Sequence, residues 1–137
     1  VAFRTQRRIE FRDTDAAGIV HFSVFFPMME VAEHELLRSL GISVLPREIC
    51  DGQQVTWPRV AASCDYAAAA RFEDMLEIAV SVARIGSSSV QYCFEFTREE
   101  TKIASGSMTA VCCTLGPAGL KKVPIPDSIR QLLAQHQ

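Results

Sequence analysis

At 137 residues, with 48% hydrophobic and 22% charged residues, the chain has the length and composition of one globular domain with one core, and it is not disordered. A formal net charge of −2 without a block of like charges argues against nucleic acid as a partner, because phosphate binding needs a basic face. No apolar run reaches the length of a membrane span and no basic-then-apolar segment opens the sequence, so no membrane partner is expected and cytoplasmic is the simplest placement.

The first element is predicted in FRTQRRIEF (3–11), where Phe3, Ile9 and Phe11 alternate with polar and charged residues as in a strand. RDTDAAGIVHF (12–22) then forms a turn. From about Val24 to Leu40 the period changes, and Phe25, Met29, Ala32, Leu36 and Leu40 recur at helical spacing. Glu30, Glu33, His34 and Arg38 fall largely off that stripe, so Glu33 and His34 are expected to be exposed. Ser23 is the expected N-cap, Pro27 fits only near the first turn, and Gly41 closes the helix.

After Pro58 the pattern is β almost to the end. RVAASCDYAAA is extended, FEDMLEIAVSVARI alternates Leu76, Ile78, Val80 and Val82, and GSSS turns the chain into VQYCFEFTREE. KIASGSMTAVCCTL follows and ends at GPAG, and PDSIRQLLAQHQ is a short amphipathic helix capped by Asp127 or Ser128. The expected class is α+β: a five-stranded antiparallel sheet with one long helix against it. That design leaves little room for a closed pocket inside the subunit, so the site is expected at an interface between two copies.

Cys50, Cys64, Cys93, Cys112 and Cys113 form no C-x-x-C pair. Adjacent Cys112 and Cys113 would face opposite sides of a strand, and all five are read as reduced, mostly buried small hydrophobes. Three scattered histidines and these thiols show no metal-ligand spacing, so no metal is expected.

The turn carries the chemistry. Asp13 and Asp15 could serve only as turn and cap acids, which use their carboxylates on free backbone N–H groups. Gly18 permits a tight bend and close backbone approach to a ligand. The helix beyond offers unpaired N–H groups and its positive dipole end to an oxyanion. A carboxylate just upstream could attack a carbonyl or activate water, so chemistry on an acyl group is the natural use.

RIEFRDTDAAGIVHFSVFF resembles the N-terminal signature of the 4-hydroxybenzoyl-CoA thioesterase family of hot-dog proteins, with its D-x-D-x-x-G-I-V-aromatic pattern. The resemblance continues through EVAEHELLRSLGI and DYAAAARFEDMLEIAVSV and covers most of the chain. It implies a single hot-dog domain over residues 1–137, with a five-stranded antiparallel sheet wrapped around one long helix. It also implies homodimers, often paired into homotetramers, that hydrolyse acyl-CoA thioesters without a metal or cofactor; coenzyme A is part of the substrate.

By the same comparison Asp15 is the catalytic acid, as nucleophile or general base. Phe22 supplies the backbone N–H at the helix entrance, and Asp13 is structural. His21 is an auxiliary candidate one position off the histidine of some relatives, and otherwise a satisfied packing residue. Glu30 matches an acid that meets substrate in a benzoate-processing member, or else belongs to a solvated helix face. Glu30 or Glu33 is the fallback for Asp15, since a second branch of the fold places its carboxylate on the helix. Arg84, Ser87 and Ser88 are the weakly matched candidates for coenzyme A phosphates. Trp57 and Phe25 could line an acyl pocket, although core packing explains both.

Thioester hydrolysis leads. Hydration or dehydration of an acyl thioester, and non-catalytic acyl-CoA binding, are the alternatives; the acyl group and the choice between CoA and a carrier-protein thioester stay open.

Overall fold

The computed structural model describes residues 1–44, 49–50 and 53–137, with only the backbone of 49, 50 and 53. Its main sheet contains β1 (Phe3–Arg8), β4 (Arg59–Tyr66), β5 (Met75–Ile85), β6 (Ser89–Arg98) and β7 (Thr101–Val111), in the order β1-β5-β6-β7-β4. All neighbours are antiparallel. Hairpins join β5 to β6 and β6 to β7, whereas β4 crosses to the far side and pairs with β7, leaving β1 and β4 as the two edges.

Alternation sets the inner face. Leu76, Ile78, Val80 and Val82 of β5 are buried, as are Val90, Tyr92, Phe94 and Phe96 of β6. Against them lies α1 (Phe25–Ser39), which buries Phe25, Met28, Met29, Ala32, Leu36 and Leu37. The helix also buries Glu33, so its buried stripe is broad. Gly106 on β7 makes the close approach possible: a Cβ there would meet Met29 Sδ and stand 2.9 Å from Ser63 O.

The second helix, α2 (Asp127–Ala134), buries Ile129 and Leu133 and packs near β5, where Val82 N–H donates to His136 O. Four short strands form a second sheet in the order β2-β3-β8-β9: β2 (Ile49–Cys50), β3 (Gln53–Thr56), β8 (Cys113–Gly116) and β9 (Gly119–Lys122).

Five local expectations are corrected. The first strand stops at Arg8, and Phe11 sits 73% exposed in a 3-10 turn (Phe11–Asp13), edge-on to Phe72. GPAG does not end the β region but turns β8 into β9. Ser23 does not cap α1: Val24 precedes the helix without a side-chain cap, because a 3-10 turn (Phe22–Val24) feeds directly into it. Pro126, not Asp127 or Ser128, occupies the cap of α2, again with no side-chain bond. Glu33 is not exposed but 1% accessible, and His34 is half-buried. Gly41 closes α1 as expected, in the left-handed region at φ 77°. Cys112 and Cys113 are both buried thiols and Cys64 and Cys93 partly so; the side chain of Cys50 lies outside the described residues.

Candidate active site

The D-T-D turn is built by its own polar groups. Asp13 is buried, with Arg7 Nη2 donating to its Oδ1 at 3.1 Å and its Oδ2 at 3.2 Å, and Glu10 N–H donating to Oδ2 at 2.8 Å. Its carbonyl also accepts His21 N–H at 2.9 Å, so Asp13 ties β1 to the start of the 3-10 turn. All its contacts are structural.

Asp15 is placed differently. Its backbone closes a tight turn, with Asp15 N–H donating to Ile19 O and Gly18 N–H to Asp15 O, each at 2.9 Å. Gly18 takes φ 79°, a conformation that residues with a Cβ adopt at a cost. Because its N–H is spent on Asp15, Gly18 shapes the turn and is not a free oxyanion donor. Ala17 N–H donates to Asp15 Oδ1 at 2.8 Å, which fixes the carboxylate while the residue stays exposed.

That carboxylate borders a cleft of about 420 Å³, also lined by Val20, Phe22, Phe25, Tyr66 and Ala67 to Ala70. The volume and the largely apolar lining suit a small-molecule site. Phe25 both packs in the core and faces the cleft, edge-on to Phe96 and to Tyr66. Trp57 packs against the core and is absent from the lining.

Phe22 opens the 3-10 turn that leads into α1, and no acceptor for its N–H occurs among the described residues. The peptide groups around it are all engaged: Val24 N–H donates to His21 O, and Ser23 N–H donates to His21 Nδ1 at 3.2 Å. His21 therefore caps its own turn. Accepting at Nδ1 puts the proton of the neutral ring on Nε2, and the ring stacks on Phe22 at 4.5 Å.

The wall opposite Asp15 was not singled out from the sequence. Ala67 and Ala68 N–H groups both donate to Ile103 O, Arg98 Nη1 donates to Ala69 O at 3.0 Å, and Val20 N–H donates to Ala70 O at 2.8 Å. Arg98 also pairs with Asp74 at 2.8 Å. Partial desolvation pushes the Asp74 carboxyl up, but the Arg71 N–H and the Arg98 guanidinium outweigh it and hold the group below its ordinary value. Four alanines in a row leave space where larger side chains would fill it; that run was the available signal.

Glu30 is exposed on α1 and outside the cleft lining; its charge acts on Glu33 and His34. Glu33 is turned inward to an ion pair with Arg59 and is outside the lining as well. Burial pushes its carboxyl up to about 7, against the pull of Arg59 and with a further push from Glu30.

Arg84, Ser87 and Ser88 sit at the other end of the sheet. Tyr66 pairs with Ala104, which pairs with Phe96, whereas Ser89 starts β6 seven residues away. At 3.3 Å per residue that is about 23 Å. Within one chain the structure does not bring these residues to Asp15. The carbonyls of the two serines are engaged locally: Ser87 O accepts Ile125 N–H and Arg130 Nη2, and Ser88 O accepts Cys112 N–H.

A family model described as the thioesterase-like superfamily matches residues 9–133, a span that includes the D-T-D turn. The chain belongs to the thioesterase-like superfamily. Among its relatives, a 1,4-dihydroxy-2-naphthoyl-CoA hydrolase of Nostoc punctiforme is 29% identical over 97% of this chain and 87% of its own length. The crystal structure of a 1,4-dihydroxy-2-naphthoyl-CoA thioesterase from Synechocystis superposes with a TM-score of 0.85 at 26% identity, covering 98% of this chain and 96% of that one. The structure of a gentisyl-coenzyme A thioesterase superposes with a TM-score of 0.80 at 31% identity, over 96% and 99% of the two chains. The hot-dog fold of this superfamily member is thereby established.

Proposed function

We propose that the protein is an acyl-CoA thioesterase, a single domain over residues 1–137 that hydrolyses an acyl-CoA, aromatic acyl groups included, to the free acid and CoA. One observation carries the reading: Asp15, fixed and exposed, shares an apolar cleft with the start of a helix whose Phe22 N–H lacks an acceptor among the described residues. The acyl group occupies the cleft with its carbonyl oxygen toward Phe22 N–H, which stabilises the tetrahedral oxyanion. Asp15 takes a proton from the attacking water, or attacks the carbonyl carbon itself to form a mixed anhydride that water then hydrolyses; in either route the C–S bond breaks to release the CoA thiolate, which is then protonated. The reaction needs no metal or cofactor. Relatives named for dihydroxynaphthoyl-CoA and gentisyl-CoA support an aromatic acyl group, and Phe22, Phe25 and Tyr66 offer it ring surfaces.

A homodimer completes the site in this reading. The cleft lies at the Tyr66 end of edge strand β4, whose outer side has no ladder partner among the described residues. A second copy on that edge supplies the missing wall. It also supplies the phosphate contacts of Arg84, Ser87 and Ser88, which one chain holds about 23 Å from its own Asp15 end. Paired dimers give a tetramer, and a cytoplasmic location agrees with acyl-CoA as substrate.

The test is release of free thiol from acetyl-CoA, decanoyl-CoA and benzoyl-CoA by wild type and Asp15→Asn. The variant keeps the shape of the turn, and its kcat is expected to fall by roughly 100-fold or more. Equal turnover by both would reject the assignment. Loss of the conjugated absorbance of an enoyl-CoA, without thiol release, would favour a hydratase.

A further inference from the structure

The superfamily relationship says nothing of how the Phe22 N–H, without an acceptor among the described residues, is held in place, and one hydrogen bond across the cleft bears on that. The Tyr66 hydroxyl donates to Phe22 O at 2.9 Å, from the last residue of β4 to the first residue of the 3-10 turn. The Tyr66 ring leans on Phe25 at 5.3 Å, edge to face, and Phe25 leans in the same way on Phe96 at the floor of the core. The hydroxyl therefore has a fixed origin.

From this geometry we infer that Tyr66 is a positioning residue, which locks the backbone of Phe22 so that its N–H is aimed at the thioester carbonyl. The inference rests on the thioesterase reading and adds a residue to it.

The physical case is one of backbone freedom. Phe22 has two soft torsions, and its two flanking peptide groups decide where its N–H points. The preceding group is held by Val24 N–H on His21 O. The following group carries Phe22 O and Ser23 N–H; His21 Nδ1 takes the N–H and Tyr66 takes the O. With both groups anchored, neither torsion can drift without breaking a hydrogen bond. The His21 contacts come from within the turn and move with it. His21 N–H on Asp13 O and Val20 N–H on Ala70 O tether the residues ahead of the turn, whereas Tyr66 reaches the Phe22–Ser23 peptide itself from the sheet, beside the cleft wall at Ala67 to Ala70 that follows directly in sequence.

An oxyanion donor works by being oriented before charge develops, so a loosened Phe22 loses rate and not ground-state affinity. Desolvation, helped by the neighbouring Cys64 and Asp65, raises the Tyr66 phenol above its ordinary range, so it remains a donor at neutral pH.

The experiment is Tyr66→Phe, which keeps the ring against Phe25 and removes the donor. With the acyl-CoA hydrolysed fastest among acetyl-CoA, decanoyl-CoA and benzoyl-CoA, kcat is expected to fall roughly tenfold with KM within about twofold. The Phe22 amide resonance of 15N-labelled protein, taken without substrate, is expected to shift or broaden while resonances of α2 stay in place. Unchanged kcat in Tyr66→Phe, alongside a crippled Asp15→Asn, would overturn the role of Tyr66 and leave the thioesterase standing. A raised KM at constant kcat would also overturn it, showing an acyl contact in place of a positioning one. If wild type releases no thiol from any of the three esters, both readings fall together.

Discussion

Glu33 on α1 is 1% exposed and forms an ion pair with Arg59, the first residue of β4. Helix and edge strand are thus joined by opposite charges within the packed layer, with Arg59 Nη1 also donating to Trp57 O at 2.8 Å. Arg59 stays partly solvated, with 24% of its side chain exposed, so the carboxylate bears most of the desolvation.

That asymmetry makes stability depend on pH. The Glu33 carboxyl is near 7 in the folded chain against 4.5 in an unfolded one, so between these values the folded state binds more protons. The contribution is present in full below pH 4.5 and is lost as pH rises through 7, by about 3 kcal/mol for the whole shift. The melting temperature is expected to fall between pH 5 and pH 8, and Glu33→Gln should flatten that slope. A wild-type slope unchanged in the variant would assign it to another group.

Arg98 holds the cleft wall by bonding Ala69 O and Asp74 at once. Arg98→Met should free the alanine segment, raising KM several-fold while costing about 1 kcal/mol of stability, because the pair is partly exposed. Steady-state kinetics and a urea titration on the same sample measure both.

Ala68 is exposed and faces the cleft, so a larger side chain there meets substrate before it meets the core. Ala68→Phe is expected to cut kcat/KM for benzoyl-CoA roughly tenfold or more relative to acetyl-CoA. The melting temperature should hold. Equal loss on both esters would place the acyl group elsewhere.

Gly106 marks where α1 presses on the sheet. Gly106→Ala would force Met29 aside and bring a methyl against Ser63 O, 2.9 Å from the ideal Cβ position. A loss of about 1–3 kcal/mol is expected, as for other overpacked cores, from the midpoint of denaturant unfolding.

Much of this was legible in the chain because short-range periodicity reports on burial. Strict alternation in MLEIAVSV marks a strand with one buried face, and the stripe from Phe25 to Leu36 marks a helix with one buried side. The D-T-D turn was legible for a similar reason: Asp15 and Gly18 act on neighbours within four residues. Glu33 was misread because periodicity does not show how much of a helix the rest of the chain covers, and its partner lies 26 residues further on. The small second sheet and the capping role of His21 were missed likewise, since neither follows from periodicity.

The sequence by itself determined the two helices and the strands of the main sheet, and which turn carries a carboxylate beside a helix start, since these depend on residues a few positions apart. Only the tertiary structure decided that β4 crosses to the far edge, and that this brings Tyr66 and four alanines over Asp15. It also decided that Arg84, Ser87 and Ser88 lie at the opposite end. Strand order is set by which apolar faces can close over one helix together. That is a property of the whole packed chain, and no local stretch encodes it.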